Sequence, residues 1–449
     1  MDAVLQVDHH PIASPITSPI AQQPTDSAAG VVVRALLTVT GTAPVNNRAP
    51  IALSFVIDRS GSMSGDRIEA ARVAAARAAE RLHPDDVVSV VAFDDDVETV
   101  AVPDRRARHH ALSAALHAID VRGCTNLSGG WLRGREHMQT AMGMIGTLPG
   151  SSRRIVLLTD GHANRGITDP STLVELARTA RQMGISTTTV GIGEGYDDHL
   201  LRIMADAGGG NAWYIERPDQ SQDVLAEELG NLLSICAQGL TATLVLSEAV
   251  QVLAVHSGWP TSQPAPGTFA FDLGDLYAAE PKPLLFELFI PQEQLDARRT
   301  DGAPIAKITL TADVITSAGS VEHRTMHLPI ASSLEGQQSL VPEVEQAVLL
   351  ARTARAREEA ARLQREGKAL EAEQLMREQR QRVAESSNSE IPTFAPRLSE
   401  LTDDLDDLAE KYRVGTFSEL DAKYQMQRSY NARRGKESYD EKLRRKRGE

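Results

Sequence analysis

The first half of the chain alternates between short apolar runs and longer segments with helical periodicity. Short runs of this kind predict buried strands, here at residues 51–57, 87–93, 154–159, 186–190 and 211–215. Helical patterns alternate with them at 66–82, 107–119, 170–183, 197–207 and 221–235, and a short edge strand is predicted at 97–102. Alternating strands and helices predict an α/β fold, a doubly wound and mostly parallel sheet with helices on both faces, over residues 50–237.

Beyond residue 237 the pattern changes to short strands, several of which alternate apolar and polar positions with period two. These strands are predicted at residues 240–246, 250–255, 267–272, 283–290, 306–314 and 321–328. Period-two alternation is typical of an antiparallel β-sandwich, which is assigned to residues 238–335. The apolar strand within residues 30–49 has the same character, so we expect it to complete the sandwich, with the α/β domain inserted into it.

The remaining segments predict helices and tails. Ala, Glu, Arg and Leu dominate a helical region at residues 340–414, with helices predicted at 342–366, 368–385 and 397–412. Residues 1–29 are rich in Pro, Ser, Gln and Thr and predict a flexible tail. Residues 415–449 predict a polar basic tail, for which a solvated segment is favoured over a nucleic-acid or membrane patch.

Composition narrows the class of protein. The 449-residue chain has a net charge of −14, which disfavours nucleic acid as the main partner. Its two cysteines are too few for a disulfide framework. The N-terminus lacks the pattern of a secretory signal, and no apolar run is long enough for a membrane span. We therefore expect a cytoplasmic protein.

The first candidate metal-binding residues follow the strand at 51–57, in the segment Asp58-Arg-Ser60-Gly-Ser62. One carboxylate and two hydroxyls at alternating positions are hard oxygen donors of the kind that suits Mg²⁺ or Mn²⁺. Serine-rich turns that cap helices are also common, so this segment alone does not establish a metal site.

Two further elements place oxygen donors at the same edge of the predicted sheet. Thr125 lies in a loop with the sequence Gly-Cys-Thr-Asn, and Asp160 follows the strand at 154–159. In a doubly wound sheet the carboxyl ends of the strands meet at one edge, so these residues are expected to converge with Asp58.

The combination resembles the von Willebrand factor A domain and its metal-ion-dependent adhesion site. That pattern consists of Asp-x-Ser-x-Ser, a later Gly-x-Thr and a strand-terminal Thr-Asp-Gly, and all of its positions match here. The resemblance implies that Ser60, Ser62 and Thr125 contact Mg²⁺ directly, while Asp58 and Asp160 act mainly through water. It also implies an open coordination position for an Asp or Glu side chain of a partner protein. Mn²⁺ and Ca²⁺ are the alternative metals.

Longer matches at residues 58–65 and 126–134 are similar to a group of bacterial cytoplasmic von Willebrand A proteins that have a β-rich region and a helical C-terminus. Members of this group are similar to the A domains of the calcium-activated chloride channel regulators and the inter-α-trypsin-inhibitor heavy chains. The resemblance covers most of residues 30–385. Cys124 occupies a position where the family often has a small residue, and a half-buried structural thiol is favoured over a redox switch.

Other residues are candidates for a partner-binding rim around the metal. Glu194, Tyr196 and Asp197 follow a strand of the same sheet, so they are interpreted as a rim, a helix N-cap, or both. Arg165 lies in the loop after Asp160 and is either a partner contact or a solvent-exposed side chain. The acidic segment at 94–96 is interpreted as a turn between strands in preference to a second cation site.

The expected function is a non-catalytic, metal-dependent protein-binding module. The sequence has no nucleophile elbow, Walker A loop, dinucleotide fingerprint or zinc triad, so an enzyme is not expected. One alternative is an accessory or substrate-recruiting subunit of an AAA+ or chelatase-type machine. Another is a regulatory component of a kinase/phosphatase cluster. The identity of the partner is left open.

Overall fold

A six-stranded sheet forms the centre of the α/β domain in the computed structural model. The structure describes residues 1–10, 30–42, 49–106, 111–146, 151–193, 195–215, 221–294, 303–316, 320–331 and 341–436. Within these ranges the strands are β1 (Asp2–His10), β2 (Gly30–Thr40), β3 (Ile51–Asp58), β4 (Val87–Phe93), β5 (Val97–Arg105), β6 (Ser152–Thr159), β7 (Ile185–Ile192), β8 (Gly209–Ile215), β9 (Ile235–Leu246), β10 (Gln251–Val255), β11 (Thr261–Ala265), β12 (Thr268–Tyr277), β13 (Pro281–Pro291), β14 (Ala306–Ile315) and β15 (Val321–Ile330).

The described helices are α1 (Asp66–Glu80), α2 (Leu112–His117), α3 (Leu127–Ile145), α4 (Pro170–Gln182), α5 (Asp198–Ala207), α6 (Ser221–Leu233), α7 (Pro342–Arg365), α8 (Ala369–Ala384), α9 (Ala395–Val414) and α10 (Glu419–Arg433). The predicted helix at 107–119 begins at residues 107–110, which lie outside the described ranges. None of the helices within those ranges combines the length and the apolar character needed to cross a bilayer.

The central sheet has the strand order β5-β4-β3-β6-β7-β8 and is parallel except for the edge strand β5. Every residue of β3, β4 and β7 is buried, as required of strands covered on both faces. One core contains side chains of α1, α2 and α6, and the other contains side chains of α3, α4 and α5. The expected α/β class with a doubly wound sheet is therefore confirmed.

Helix α3 is not among the helices predicted from the sequence. Its sequence contains several glycines, which favour loops over helices in an isolated pattern. In the structure these glycines allow α3 to pack close to the sheet. A Cβ at Gly130 would lie 2.4 Å from the Phe93 ring, and one at Gly134 would lie 2.6 Å from Val56. Tertiary packing thus outweighs the local propensity of these residues.

Two antiparallel sheets form the sandwich, with strand orders β1-β2-β13-β10 and β11-β12-β9-β14-β15. Their facing side chains share one apolar core. Among the described residues β2 pairs with β1 and β13, and with no strand of the α/β sheet. The chain therefore contributes to the sandwich before the α/β domain and returns to it at β9.

The N-terminal segment differs from the predicted tail. Asp2–His10 forms β1, an edge strand paired along its length with β2. The strand is held partly by charge, because the buried Asp8 accepts two hydrogen bonds from Arg34 on β2, at 2.8 and 2.5 Å. Residues 11–29 of the predicted tail lie outside the described ranges.

The C-terminal segment also differs from the predicted basic tail. Helices α7 to α10 share an apolar core, and α7 additionally packs on the sandwich. Glu419–Arg433, which the composition assigns to a tail, forms α10 and docks on the α/β domain. Its polar residues find specific partners there: Tyr430 donates a 2.8 Å hydrogen bond to Asp206, and Lys423 donates a 2.7 Å bond to the carbonyl of Tyr196. Residues 437–449 lie outside the described ranges.

Candidate metal centre

The candidate centre lies at the carboxyl edge of the two central strands, β3 and β6. These strands are parallel neighbours, with Ile57 opposite Leu158, so the loops that follow them start side by side. Asp58 ends β3, and its Oδ1 accepts a 2.8 Å hydrogen bond from the amide of Ser60. This bond folds the loop back over the end of its own strand. The parallel register thus brings Asp58 and Asp160 to the same edge of the sheet.

Hydrogen bonds connect the side chains of three predicted ligands, Ser60, Ser62 and Asp160, and Asp58 joins them through the Ser60 amide. The Ser60 and Ser62 hydroxyls lie 3.1 Å apart, and Ser62 donates a 2.7 Å hydrogen bond to Asp160 Oδ1. Asp58 Oδ2 accepts a hydrogen bond from the hydroxyl of Thr159, the residue before Asp160. The structure therefore places these oxygen atoms in one contiguous cluster.

Thr125 reaches the same cluster from the loop before α3. A Cβ at Gly161 would lie 3.1 Å from Thr125 Oγ1 and 3.7 Å from Ser62 Oγ, so both hydroxyls lie against Gly161. Asn164 fixes this loop, because its side-chain oxygen accepts a 2.8 Å hydrogen bond from the Thr125 amide and its own amide donates to the Thr125 carbonyl at 3.2 Å. All five predicted ligand residues are thus brought together.

The electrostatics of the cluster favour a cation. Asp58 is completely buried, and burial is the main cause that raises its pKa to about 6, with the neighbouring charge of Asp160 adding to the rise. The hydrogen bonds to Asp58 come from the neutral donors Ser60 and Thr159. Among the described residues no cationic side chain forms an ion pair with Asp58.

The donor set fits a hard divalent ion. Two carboxylates and three hydroxyls supply oxygen atoms only, and two negative charges balance one divalent cation. Within the described ranges no group of three or more His, Cys, Asp or Glu side chains is arranged to hold a metal. The candidate centre differs from such a group because three of its five donors are hydroxyls.

Charged side chains around Asp94 hold the ligand loops in place. Asp94, in the turn between β4 and β5, accepts hydrogen bonds from Arg59 at 2.9 Å and from Arg122 at 2.7 Å. Its carbonyl also accepts a 3.0 Å bond from the Asn126 amide beside Thr125. Burial opposes ionisation, but the hydrogen bonds from Asp96 and Arg122 prevail and lower the pKa of Asp94. The acidic segment at 94–96 is thus a turn that connects two ligand loops.

The predicted rim residues have different environments. Arg165 is exposed and lies 3.2 Å from Asp95. Asp197 is the N-cap of α5 and accepts a 3.0 Å hydrogen bond from the Leu200 amide, while its side chain stays partly exposed. Glu194 lies outside the described residues.

Tyr196 requires a correction, because it is buried and does not form an exposed rim. Its ring packs against Tyr214, and the Lys423 ammonium of α10 lies 4.4 Å from its centroid. A Cβ at Gly191 would lie 2.5 Å from the ring, so the tyrosine fills a space left by that glycine. The sequence offers no signal for this burial, since it depends on contacts with a distant helix.

Sequence reasoning also missed Arg67, the second residue of α1. Its guanidinium donates a 2.6 Å hydrogen bond to Asp160 Oδ2 and a 3.2 Å bond to the Ser62 carbonyl. The sequence feature that could have identified Arg67 is its position in the first turn of the helix that follows the loop with Ser60 and Ser62.

Comparisons with known proteins agree with this fold. Residues 53–227 match the family model of the von Willebrand factor type A domain. The uncharacterized protein YfbK of Escherichia coli is 29% identical over 262 residues, covering 57% of this chain and 44% of that protein. Inter-alpha-trypsin inhibitor heavy chain H1 of Mesocricetus auratus is 31% identical over 176 residues, covering 38% of this chain and 19% of that protein. The chain thus spans less than half the length of these two relatives.

A solved structure extends the similarity in fold beyond the α/β domain. The von Willebrand factor type A structure from Catenulispora acidiphila superposes with a TM-score of 0.58 at 18% identity, covering 84% of this chain and 87% of that chain. At this level of identity the match concerns the fold alone. The family model, the two relatives and the shared fold agree on the central assignment: residues 53–227 form a von Willebrand factor type A domain.

Proposed function

We propose that this chain is a non-catalytic module that binds a partner protein through a divalent metal, with an Asp or Glu side chain of the partner completing the coordination. The observation that carries the proposal is the convergence of three hydroxyls and two carboxylates at the carboxyl edge of the sheet. Mg²⁺ is the proposed metal, with Mn²⁺ and Ca²⁺ as alternatives. When bound, such an ion supplies a hard Lewis-acid centre with affinity for carboxylates.

The neutral and the charged residues have different roles in the proposed site. Ser60, Ser62 and Thr125 offer neutral oxygens for direct contact, and Asp58 and Asp160 supply negative charge and hold water. Ser62 is exposed, whereas the other four side chains are buried. The cluster is therefore accessible from solvent on the side of Ser62, and that side is where we place the partner.

The hydrogen bonding of the serines supports a binding role over nucleophilic catalysis. Ser62 donates to Asp160, and Ser60 lies within hydrogen-bond distance of Ser62. Among the described hydrogen bonds, none joins a histidine to either hydroxyl, which is the arrangement an activated serine needs. The exposed His162 instead lies 3.8 Å from Asp197.

Two further considerations support the proposal. Von Willebrand factor type A domains commonly mediate protein–protein interactions, and this chain contains such a domain. Cys124 is exposed and not half-buried as expected, Cys236 is buried, and both are free thiols. Free thiols fit a reducing compartment, so we keep the cytoplasm as the proposed location.

Isothermal titration of the full chain with MgCl₂ tests the metal site. We expect saturable binding to the wild type, loss of binding in Asp58→Ala, and weaker binding in Ser62→Ala. Ser64→Ala is the matched control, because this exposed serine lies in the same loop but outside the donor set. Equal Mg²⁺ binding by the wild type and Asp58→Ala contradicts the proposal.

Capture of partners from the native lysate in Mg²⁺ and in EDTA then tests the binding role. A partner that is retained only with Mg²⁺, and only by variants that bind Mg²⁺, supports it. Partners retained equally in EDTA and by Asp58→Ala contradict a metal-dependent interaction.

A further inference from the structure

Arg67 is a cation built into the entrance of the candidate metal centre. Its guanidinium contacts Asp160 Oδ2 at 2.6 Å, while the other oxygen of the same carboxylate accepts from Ser62. The Asp160 side chain is fully buried, whereas 36% of the Arg67 side chain is exposed. Arg67 therefore covers one of the two candidate carboxylates from the solvent side.

The position of Arg67 depends on the neighbouring strand. Gly193 follows β7 with φ of 74°, and a Cβ there would lie 2.9 Å from Arg67 Nε. The Arg67 side chain thus passes against a residue that has no side chain of its own. This close approach, together with the hydrogen bond to the Ser62 carbonyl, gives the guanidinium a defined position between α1, β6 and β7.

The formal charges indicate what this arginine does. Asp58 and Asp160 contribute two negative charges, and Arg67 contributes one positive charge in direct contact with Asp160. The net charge of these three side chains is therefore −1. A bound divalent ion changes the net charge of the centre to +1. Without Arg67 the loaded centre would be neutral.

We infer that Arg67 is a specificity residue of this site: it weakens binding of the metal and strengthens binding of a carboxylate to the metal-loaded site. This inference rests on the proposed function, since it presumes that the cluster binds a divalent ion. Coulomb attraction between the excess positive charge and an incoming anion supplies the second effect.

Arg165 is the matched control for charge. It lies on the loop that follows Asp160 and is exposed. Its side chain pairs with Asp95 and not with a candidate ligand, and only its backbone amide, which a substitution keeps, donates to the Thr125 carbonyl. Arg67→Gln and Arg165→Gln each remove one positive charge from the same face of the domain. A difference between the two variants therefore measures the contact with Asp160.

The test uses the full chain with Mg²⁺ alone as the first probe. Titration calorimetry should show a dissociation constant for Mg²⁺ that is on the order of tenfold lower in Arg67→Gln than in the wild type. In Arg165→Gln it should change by less than about twofold. Arg67→Lys, which keeps the charge, should stay near the wild type. Arg67→Met is the second neutral variant, and far-ultraviolet circular dichroism verifies folding of each protein.

The second probe is glutarate added to the Mn²⁺-loaded protein, followed by the relaxation of water protons. Glutarate should displace Mn²⁺-bound water at several-fold higher concentration in Arg67→Gln than in the wild type or Arg165→Gln. Together, tighter metal binding and weaker glutarate binding support the inference.

The outcomes separate the two proposals. If the wild type binds Mg²⁺ and Asp58→Ala does not, but the neutral variants of Arg67 match Arg165→Gln or bind Mg²⁺ more weakly, the inference about Arg67 is wrong and the metal site stands. If the wild type does not bind Mg²⁺, or binds it no better than Asp58→Ala, the proposed function is wrong and the inference falls with it.

Discussion

Strand β6 carries a polar cluster at each end, and the two clusters are built differently. Near its start Arg154 is fully buried and donates hydrogen bonds to Glu228 at 2.6 Å, Asp275 at 3.2 Å and the Tyr277 hydroxyl at 3.1 Å. Glu228 accepts further bonds from Thr188, Asn211 and Trp213. At the other end of the strand Asp160 joins Asp58 and the ligand hydroxyls.

Each cluster contains one arginine and two carboxylates, so the difference lies in how the carboxylates are paired. The first cluster is balanced because Arg154 contacts both of its carboxylates, and the second is unbalanced because Arg67 contacts only Asp160. The Arg154 cluster contains its own cation and joins the α/β sheet to α6 and to β12 of the sandwich. Accordingly, and despite the opposing effect of burial, the charge of Arg154 lowers the pKa of Glu228. In the Asp160 cluster Arg67 contacts Asp160 at the entrance, but no cationic side chain within the described ranges pairs with Asp58, and burial raises the pKa of Asp58. The comparison teaches that a balanced polar cluster stabilises the fold, whereas an unbalanced one is suited to binding a ligand.

The largest expected effect comes from removing the cation of the balanced cluster. Arg154→Met leaves Glu228 and Asp275 without their cation in a buried position. We expect the free energy of unfolding to fall by about 3–5 kcal/mol, measured by urea denaturation. Arg153→Met is the matched control on the same strand, because Arg153 contacts the exposed Met142 and the carbonyl of Met183.

The control should change stability by less than about 1 kcal/mol. The double variant Arg154→Met/Glu228→Leu removes a cation and an anion together, so it should regain part of the loss. A loss in Arg154→Met no greater than that in Arg153→Met would show that the balanced cluster contributes little to stability.

The next effect concerns the unbalanced cluster. At a free Mg²⁺ concentration of 100 times the dissociation constant, the wild type should gain about 2.7 kcal/mol of unfolding free energy relative to EDTA. Asp58→Ala should gain nothing, and Arg153→Met should gain the same increment as the wild type. Denaturation curves with NaCl at matched ionic strength control for general salt effects. An equal gain in Asp58→Ala would place the Mg²⁺ effect elsewhere.

Sequence alone was sufficient to predict the strand-terminal part of the site. Asp58 and Asp160 follow apolar runs, and the topology of a parallel sheet brings such positions to one edge. The α/β class followed from the same alternation. Thr125 was predicted through its motif, although the helix directly after it was missed because its glycines pack against Phe93 and Val56.

Contacts between distant segments were not predictable in this way. Tyr196 was expected on an exposed rim, but α10 covers it through Lys423, more than 200 residues later in the sequence. The composition of residues 415–436 resembles a solvated tail because its polar groups bond to other domains and form no apolar stripe. Arg67 was missed for the same reason, since its role depends on Asp160 and Gly193, which are distant in sequence.

The next effect depends on pH and concerns Lys282, a cation of the sandwich that lies 5.7 Å from the ring centroid of Tyr277 in the balanced cluster. Lys282 is buried, donates a 2.7 Å hydrogen bond to the Leu273 carbonyl, and lies 4.5 Å from the centroid of Trp259. Burial lowers its pKa to about 7. Between pH 7 and pH 10 the unfolded chain therefore binds this proton more strongly than the folded chain, so stability should rise with pH.

The rise contributed by Lys282 is at most about 1.4 kcal/mol per pH unit. Lys282→Met should remove it, whereas Lys307→Met, at an exposed position of β14, should not. Urea denaturation at pH 7, 8, 9 and 10 measures the slope. Identical slopes in the two variants would mean that Lys282 stays charged when the protein is folded.

The smallest expected effect concerns Thr159, whose hydroxyl donates to Asp58 without itself belonging to the predicted donor set. Thr159→Val keeps the shape of the side chain but removes this bond, so Asp58 is held less firmly. We expect Mg²⁺ affinity to fall by about 1 kcal/mol, or roughly fivefold, by calorimetry. Thr189→Val is the matched control, because Thr189 on the neighbouring strand β7 is equally buried and donates to the Leu201 carbonyl, away from the ligand loops. If both variants lose stability equally but only Thr159→Val loses Mg²⁺ affinity, the hydrogen bond orients a ligand; equal Mg²⁺ affinity in the two variants would limit Thr159 to a structural role.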